Sequence, residues 1–193
     1  MKILCAAAAD NWPFEKRFGE GIAAPGSVVS FLEAITDTVD DMGGTLGAIF
    51  GILLTALNNA LKLQLDQKFS QAITAEIYAE ALQAAVESLK SCMTAREGDR
   101  TVMDVLLPFS DEFERTKSFG ARVVKAKEKA EATLYLRPKL GRALYVGEAS
   151  EQQVPDPGAW ALYEILGGMA ESIQKLEAYI VTYQQSIQQH FGN

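Results

Sequence analysis

The stretch Thr74-Ala75-Glu76-Ile77-Tyr78-Ala79-Glu80-Ala81-Leu82-Gln83-Ala84-Ala85-Val86-Glu87-Ser88-Leu89 sets the reading of the fold. Ile77, Tyr78, Ala81, Leu82, Ala85, Val86 and Leu89 recur at helical spacing and form one apolar stripe that must be buried against another element. Thr74 can cap this segment, which predicts a helix from Ala75 to about Met93. The same spacing returns on both sides of it. No long period-2 alternation bounded by turn residues interrupts the pattern, so the chain is expected to be all-α.

Working outward, Pro25-Gly26 is a turn and Ser27 a cap for Val28 to Asp40, with the next helix running from near Thr45 to about Leu63. Arg96-Glu97-Gly98-Asp99 is a loop, and Asp99 is expected to cap a helix from Arg100 to about Ser118 that Pro108 kinks or breaks. Phe119 to Tyr135 is helical, with Lys125, Lys127, Glu128, Lys129 and Glu131 on a solvated face. Leu136 to Pro155 lacks helical period and reads as a long connecting loop. Asp156-Pro157 restarts a helix with an acidic cap and a proline at the first turn. Beyond it, Met169, Ile173, Leu176, Ile180, Tyr183, Ile187 and Phe191 repeat close to a heptad, with Gly167-Gly168 a candidate break.

Composition narrows the functions. The 193 residues, 48% of them hydrophobic, make one domain over residues 1–193. With 18 basic against 25 acidic side chains the net charge is −7, which argues against a nucleic-acid partner. Cys5 and Cys92 form no metal-ligand spacing, and His190 is the single histidine, so multi-ligand zinc sites and Ser-His-Asp catalysis are excluded from the body of the domain. The apolar start, Ile3 to Ala9, is short for a signal peptide and is followed by Asp10, and the apolar run Leu46 to Leu57 is shorter than the roughly twenty residues of a bilayer span. The expectation is a cytoplasmic protein with no membrane partner.

Met42-Gly43-Gly44-Thr45-Leu46-Gly47 precedes an apolar helix, where backbone amides and the helix dipole favour an anion. Taken in order, Met42-Gly43-Gly44-Thr45-Leu46-Gly47-Ala48, Gly98-Asp99-Arg100-Thr101-Val102-Met103-Asp104, Ala130-Glu131-Ala132-Thr133, Leu140-Gly141-Arg142-Ala143-Leu144-Tyr145-Val146-Gly147-Glu148 and Asp156-Pro157-Gly158-Ala159 resemble the nucleotide-binding (L, or DAK2) domain of dihydroxyacetone kinases, those of fungi in particular. The resemblance covers about residues 10–166. It implies a barrel of antiparallel amphipathic helices around an apolar pocket, with Mg-nucleotide capping one end. Thr45 and Leu46 would then lie at the phosphates, Met93 and Val102 at the base, Arg142 would reach in from the long loop, and Asp156, Pro157 and Gly158 would hold the far side. Each position also has a structural reading: Asp156 as a helix cap, Arg142 as a loop anchor, Asp99 and Asp104 as cap and turn-fixing groups.

The chain departs from the family at its metal site. Three carboxylates hold magnesium in the kinases, and aligning Arg17-Phe18-Gly19-Glu20-Gly21-Ile22 with the segment after that loop leaves Asp10 as the residual ligand, with Ala8 at the middle position and Ile3 near the first. Phosphoryl transfer depends on positioning and on neutralisation by metal ions, which one aspartate supplies poorly. Leu46 and Leu144 stand where the family has serines. Residues 1–26 read as a remnant of the metal loop and a linker, 27–166 as the family core, and 167–193 as a C-terminal helix extension in a chain whose first helix is missing.

These departures favour repurposing: binding or conversion, without metal or other cofactor, of a small apolar molecule in the pocket. An enzyme of this kind would be a cyclase, isomerase or lyase rather than a kinase. Asp10, Asp104, Arg142 and Tyr145 are its candidate catalytic groups, with Arg142 and Tyr145 polarising a carbonyl and an aspartate acting as base. Trp12, Phe14 and Arg17 join Thr45, Leu46, Met93, Val102, Leu144, Asp156, Pro157 and Gly158 as ligand contacts. One alternative is a nucleotide-binding subunit taking ADP or ATP with Mg and acting with a separate substrate-binding subunit. Another is a non-catalytic interaction domain. The heptad-like segment and the incomplete barrel suggest a homodimer.

Overall fold

The computed structural model describes residues 28–68, 74–141 and 154–191, and among these it is helical with no strand. The helices are α1 (Val28–Asp40), α2 (Gly44–Lys68), α3 (Ala75–Cys92), α4 (Met103–Thr116), α5 (Val123–Ala132) and α6 (Pro157–Phe191), with 3-10 turns at Gly120–Arg122 and Thr133–Tyr135. Each helix packs on the next, and α6 also rests on α4. Neighbours run antiparallel. Lys62, late in α2, pairs with Glu33, early in α1, at 2.6 Å, and Gln83 of α3 donates to Asp111 of α4 at 3.3 Å.

The expected apolar stripe of α3 is the spine of the core, with Ala81, Ala85 and Leu89 fully buried and Ile77 and Val86 nearly so. Thr74 caps this helix by accepting from the Ile77 amide. The main core joins α3 to Phe50 and Leu53 of α2, Val105 and Phe109 of α4, Ala126 and Ala130 of α5, and Ala159 and Leu162 of α6. Phe109, Phe113 and Phe119 interlock edge-to-face and offset at centroid separations of 5.3–6.1 Å. Lys117 closes α4 in the left-handed conformation, its amide donating to the Phe113 carbonyl.

Several boundaries differ from the sequence expectation. α4 starts at Met103 rather than Arg100, because Arg100 is left-handed (φ 59°) and Asp99 is turned to other partners. Pro108 does not break α4, whose flanking residues Val105, Leu106 and Phe109 are buried and hold the helix across the missing donor. α6 passes unbroken through Gly167-Gly168, where it packs on α5 with the Val123 side chain at an ordinary 3.8 Å from a Cβ position on Gly167. α2 is longer than expected. By length and composition Gly44–Asp66 would reach across a bilayer, with mean hydropathy 1.5, since Asn58, Asn59 and Lys62 interrupt the run without ending the helix. In the structure α2 packs between α1 and α3, burying Phe50, Leu53 and Leu61.

Candidate functional site

The end of the bundle where α1, α3 and α5 finish and α2, α4 and α6 begin gathers every described candidate residue. At its first corner, α1 passes to α2 through Gly43 (φ 64°) and Gly44 (φ 68°), a backbone that side-chain-bearing residues adopt only at a cost. The helices then meet tightly, because a Cβ at Gly47 would lie 3.2 Å from the Val39 carbonyl oxygen and one at Gly51 would collide with the Asp40 carboxylate. Among the described residues the turn is open: none of their atoms lies within 4 Å of where a Cβ would sit on Gly43 or Gly44. Thr45 is exposed in the first turn of α2, and Leu46 is half-buried against the main core.

The second corner, between α3 and α4, is built differently. Arg96 folds back over the end of α3, its guanidinium donating to the carbonyls of Lys90, Met93 and Ala95 at 2.7–3.2 Å. Asp99 accepts from the Arg96 amide at 2.8 Å and pairs with Lys139 at 2.8 Å. The Lys139 hydrogen bond, followed by the Arg96 amide, holds its carboxyl below the usual value. Asp104 is 3% exposed, and its two oxygens accept from the Gly98 amide (2.5 Å) and the Thr101 amide (2.7 Å). It therefore fixes the turn that aims α4. Val102 is buried, and half-buried Met93 packs on the same core cluster as Leu46.

The third corner joins α5 to α6. Thr133, fully buried, donates to the Ala130 carbonyl and accepts from the Asp156 amide at 2.8 Å. Asp156 then caps α6 by accepting from the Ala159 amide at 2.8 Å, as the acidic-cap and proline signal predicts. Burial pushes the Asp156 carboxyl above its ordinary value, a shift opposed by the Ala159 and Gly158 amides and by Arg100, and reinforced by Asp104. Arg100, 5% exposed, crosses between corners and donates to the Val154 carbonyl at 2.8 Å. Gly158 sits tightly under its own cap, since a Cβ there would lie 3.1 Å from an Asp156 carboxylate oxygen, with the Val102 side chain in ordinary contact at 3.6 Å. Pro157, at the first turn of α6, is exposed.

Thus Thr45 and Leu46, Met93, Val102 and Asp104, and Asp156, Pro157 and Gly158 come to one end from three separated segments. Asp10, Trp12, Phe14, Arg17, Arg142, Leu144 and Tyr145 lie outside the described residues. Sequence reasoning passed over Arg96, Arg100, Thr133 and Lys139 as site-building residues. Arg100 and Thr133 sat inside quoted motifs, but a buried arginine and a threonine bridging two helices leave no periodic trace. The two main concavities among the described residues are open to solvent: one of about 410 Å³ bordered by Asp40, Gly51, Thr55 and Ser88, the other of about 500 Å³ bordered by charged groups of α4 and α5. No three acidic, histidine or cysteine side chains come together among the described residues as a metal site would require.

A profile of the family described as the DAK2 domain matches residues 16–171. The chain belongs to the DAK2 domain family. This DAK2 domain is 42% identical over 103 residues to the dihydroxyacetone kinase of Komagataella pastoris, a match covering 50% of the chain and 17% of that protein. It is 41% identical over 93 residues to dihydroxyacetone kinase 1 of Saccharomyces cerevisiae, covering 48% of the chain and 16% of that protein. A third relative, the triokinase/FMN cyclase of Mus musculus, is 38% identical over 102 residues, with 49% and 18% covered. The chain therefore spans about a sixth of the length of the curated relatives it matches, and it is homologous to their DAK2 domains.

Proposed function

We propose that this DAK2 domain is a nucleotide-binding unit that takes the phosphates of ADP or ATP at the Gly43-Gly44-Thr45 turn and acts with a separate substrate-binding unit in a phosphotransferase of the dihydroxyacetone kinase type. The observation that carries this reading is the contrast between corners at one end of the bundle. The second and third are closed by their own hydrogen bonds, whereas no other described residue crowds the glycines of the first. The first amides of a helix have no intrahelical acceptor, and with the positive end of the helix dipole they favour an anionic group. Met93 and Val102, on the neighbouring corner, supply apolar surface for a base.

Magnesium, which the family implies, does not fit the described donors, since no three acidic groups converge and Asp10 lies outside the described residues. What the described residues can do is hold and orient the nucleotide.

Leu46 favours a second reading. It places a half-buried isobutyl group, packed on the core, where the family carries a hydroxyl, as suits a site converted to a small apolar ligand and metal-free cyclase, isomerase or lyase chemistry. Asp104 has both oxygens engaged by amides, so in this reading too it positions a turn.

Calorimetric and thermal-shift titrations with ADP and ATP, each with and without magnesium, separate the two. A saturable signal with ADP is expected, worth about 2.7 kcal/mol of added stability at a hundredfold excess over Kd. No response to millimolar nucleotide, together with an apolar molecule retained in native mass spectrometry, would overturn the nucleotide reading and support the second.

A further inference from the structure

Beyond Ala170, its last buried residue, α6 leaves the bundle. Every described side chain from Glu171 to Tyr183 is exposed while the helix continues to Phe191, about 30 Å of rise. Most helical stability in proteins comes from packing an apolar face rather than from propensity. Most of its apolar residues follow one register: Met169 (49% exposed), Ile173 (39%), Leu176 (60%) and Tyr183 (58%) share the heptad spacing that the sequence continues with Ile180 and Ile187, while exposed Tyr179 and Val181 lie off it.

We propose that this segment pairs with the same segment of a second copy as a parallel, in-register two-stranded coiled coil. The register itself names the occupant. Isoleucine holds all three a positions (173, 180 and 187), and the d positions carry Met169, Leu176, Tyr183 and, at the end of the helix, His190, none β-branched. β-branched a residues with leucine at d favour two parallel strands, the combination found around Leu176 between Ile173 and Ile180.

Charge agrees. Glu171 and Lys175 pair with each other at 2.6 Å on the outer f and c positions, away from the seam. At the flanking e and g positions, Ala170, Ser172, Tyr179, Gln184 and Ser186 are uncharged and Glu177 is the single charge. In register, Glu177 faces Ser172 of the partner subunit, so no like charges meet. A foreign partner selected by ion pairs would need the opposite, charged flanks. The two-fold pairing is isologous and closes at two chains.

Sedimentation equilibrium of the 193-residue chain at about 50 μM should give twice the 21.0 kDa monomer mass. Leu176→Glu, on the seam, should give a monomer that keeps the cooperative unfolding of the bundle but loses helical circular dichroism from the projecting segment, and Val181→Glu, off the seam, should stay dimeric with the helical signal of the parent. In a Cys5→Ser, Cys92→Ser background, Leu176→Cys should cross-link to a disulfide dimer on mild oxidation, as an in-register parallel pair requires. A monomeric parent chain, with the face covered by residues 1–27 of its own chain or left bare, overturns the proposal. A dimer that survives Leu176→Glu, or one that fails to cross-link, overturns the seam or its register.

Discussion

The α1–α2 turn and the α3–α4 loop occupy the same end of the DAK2 domain and both use left-handed backbone, yet they are opposites in construction. Gly43 and Gly44 bend with no other described residue against them, beside an exposed Thr45. Gly98 (φ 90°) and Arg100 (φ 59°) bend inside a web in which Asp104, Arg96 and Asp99 satisfy the local amides and carbonyls. The difference separates two kinds of family motif. One builds the end of the bundle, and the other is what that end presents to a ligand.

Asp104→Ala is the severest way to break this comparison. It leaves the Gly98 and Thr101 amides without acceptors in a buried setting, which should cost about 2–4 kcal/mol in urea denaturation, or roughly 2–4 °C of Tm for each kcal/mol. A loss below measurement error would mean that the loop does not depend on it. Gly43→Ala has nothing to clash with and pays only for left-handed backbone, about 1–2 kcal/mol. If this turn is the phosphate corner, the same variant weakens ADP binding in calorimetry, whereas unaltered affinity would place the ligand elsewhere.

Asp156→Asn gives a smaller effect that depends on pH. Because burial raises its carboxyl above 3.8 in the folded chain, the folded state holds this proton more firmly than the unfolded one. The stability it contributes is full in acid and is lost as pH rises from 3.8 through the raised value. The asparagine still offers an oxygen to the Ala159 amide but does not titrate, so its stability relative to the parent should climb across that window. Parallel stability-pH curves would show that the carboxyl is not buried as placed. Lys139→Ala should matter least, because its partner Asp99 also takes the Arg96 amide and the lysine is largely exposed. Its denaturation midpoint should match the parent's, and a clear drop would promote the Asp99–Lys139 pair from accessory to structural.

A second contrast lies within α6. Its first half is tied down by Asp156 and by core residues Ala159, Leu162 and Leu166, while beyond Ala170 the described side chains, Ile173, Leu176 and Tyr183 among them, are exposed. Periodicity in the sequence reveals that a helix has an apolar face. It cannot reveal whether the partner of that face lies in the same chain. The candidate site was legible in a similar, partial way. The ordered motifs located the corners, and Thr74 and Asp156 announced their caps, because these signals act within a turn or two of the residues that carry them.

What the sequence determined by itself, then, was the helical class, most helix positions, and membership of a family whose motifs cluster at one end. Tertiary structure alone decided where α4 starts, since Asp99 had a choice between capping it and binding Arg96 and Lys139, and the 40-residue-distant lysine is invisible to local pattern. It also decided that α6 runs through Gly167-Gly168 and α4 through Pro108, because packing on Val123 and burial of Val105, Leu106 and Phe109 outweigh intrinsic helix preference. Local chemistry sets what each segment can do, and contacts between distant segments choose among those possibilities, because their burial energy exceeds the differences between local alternatives.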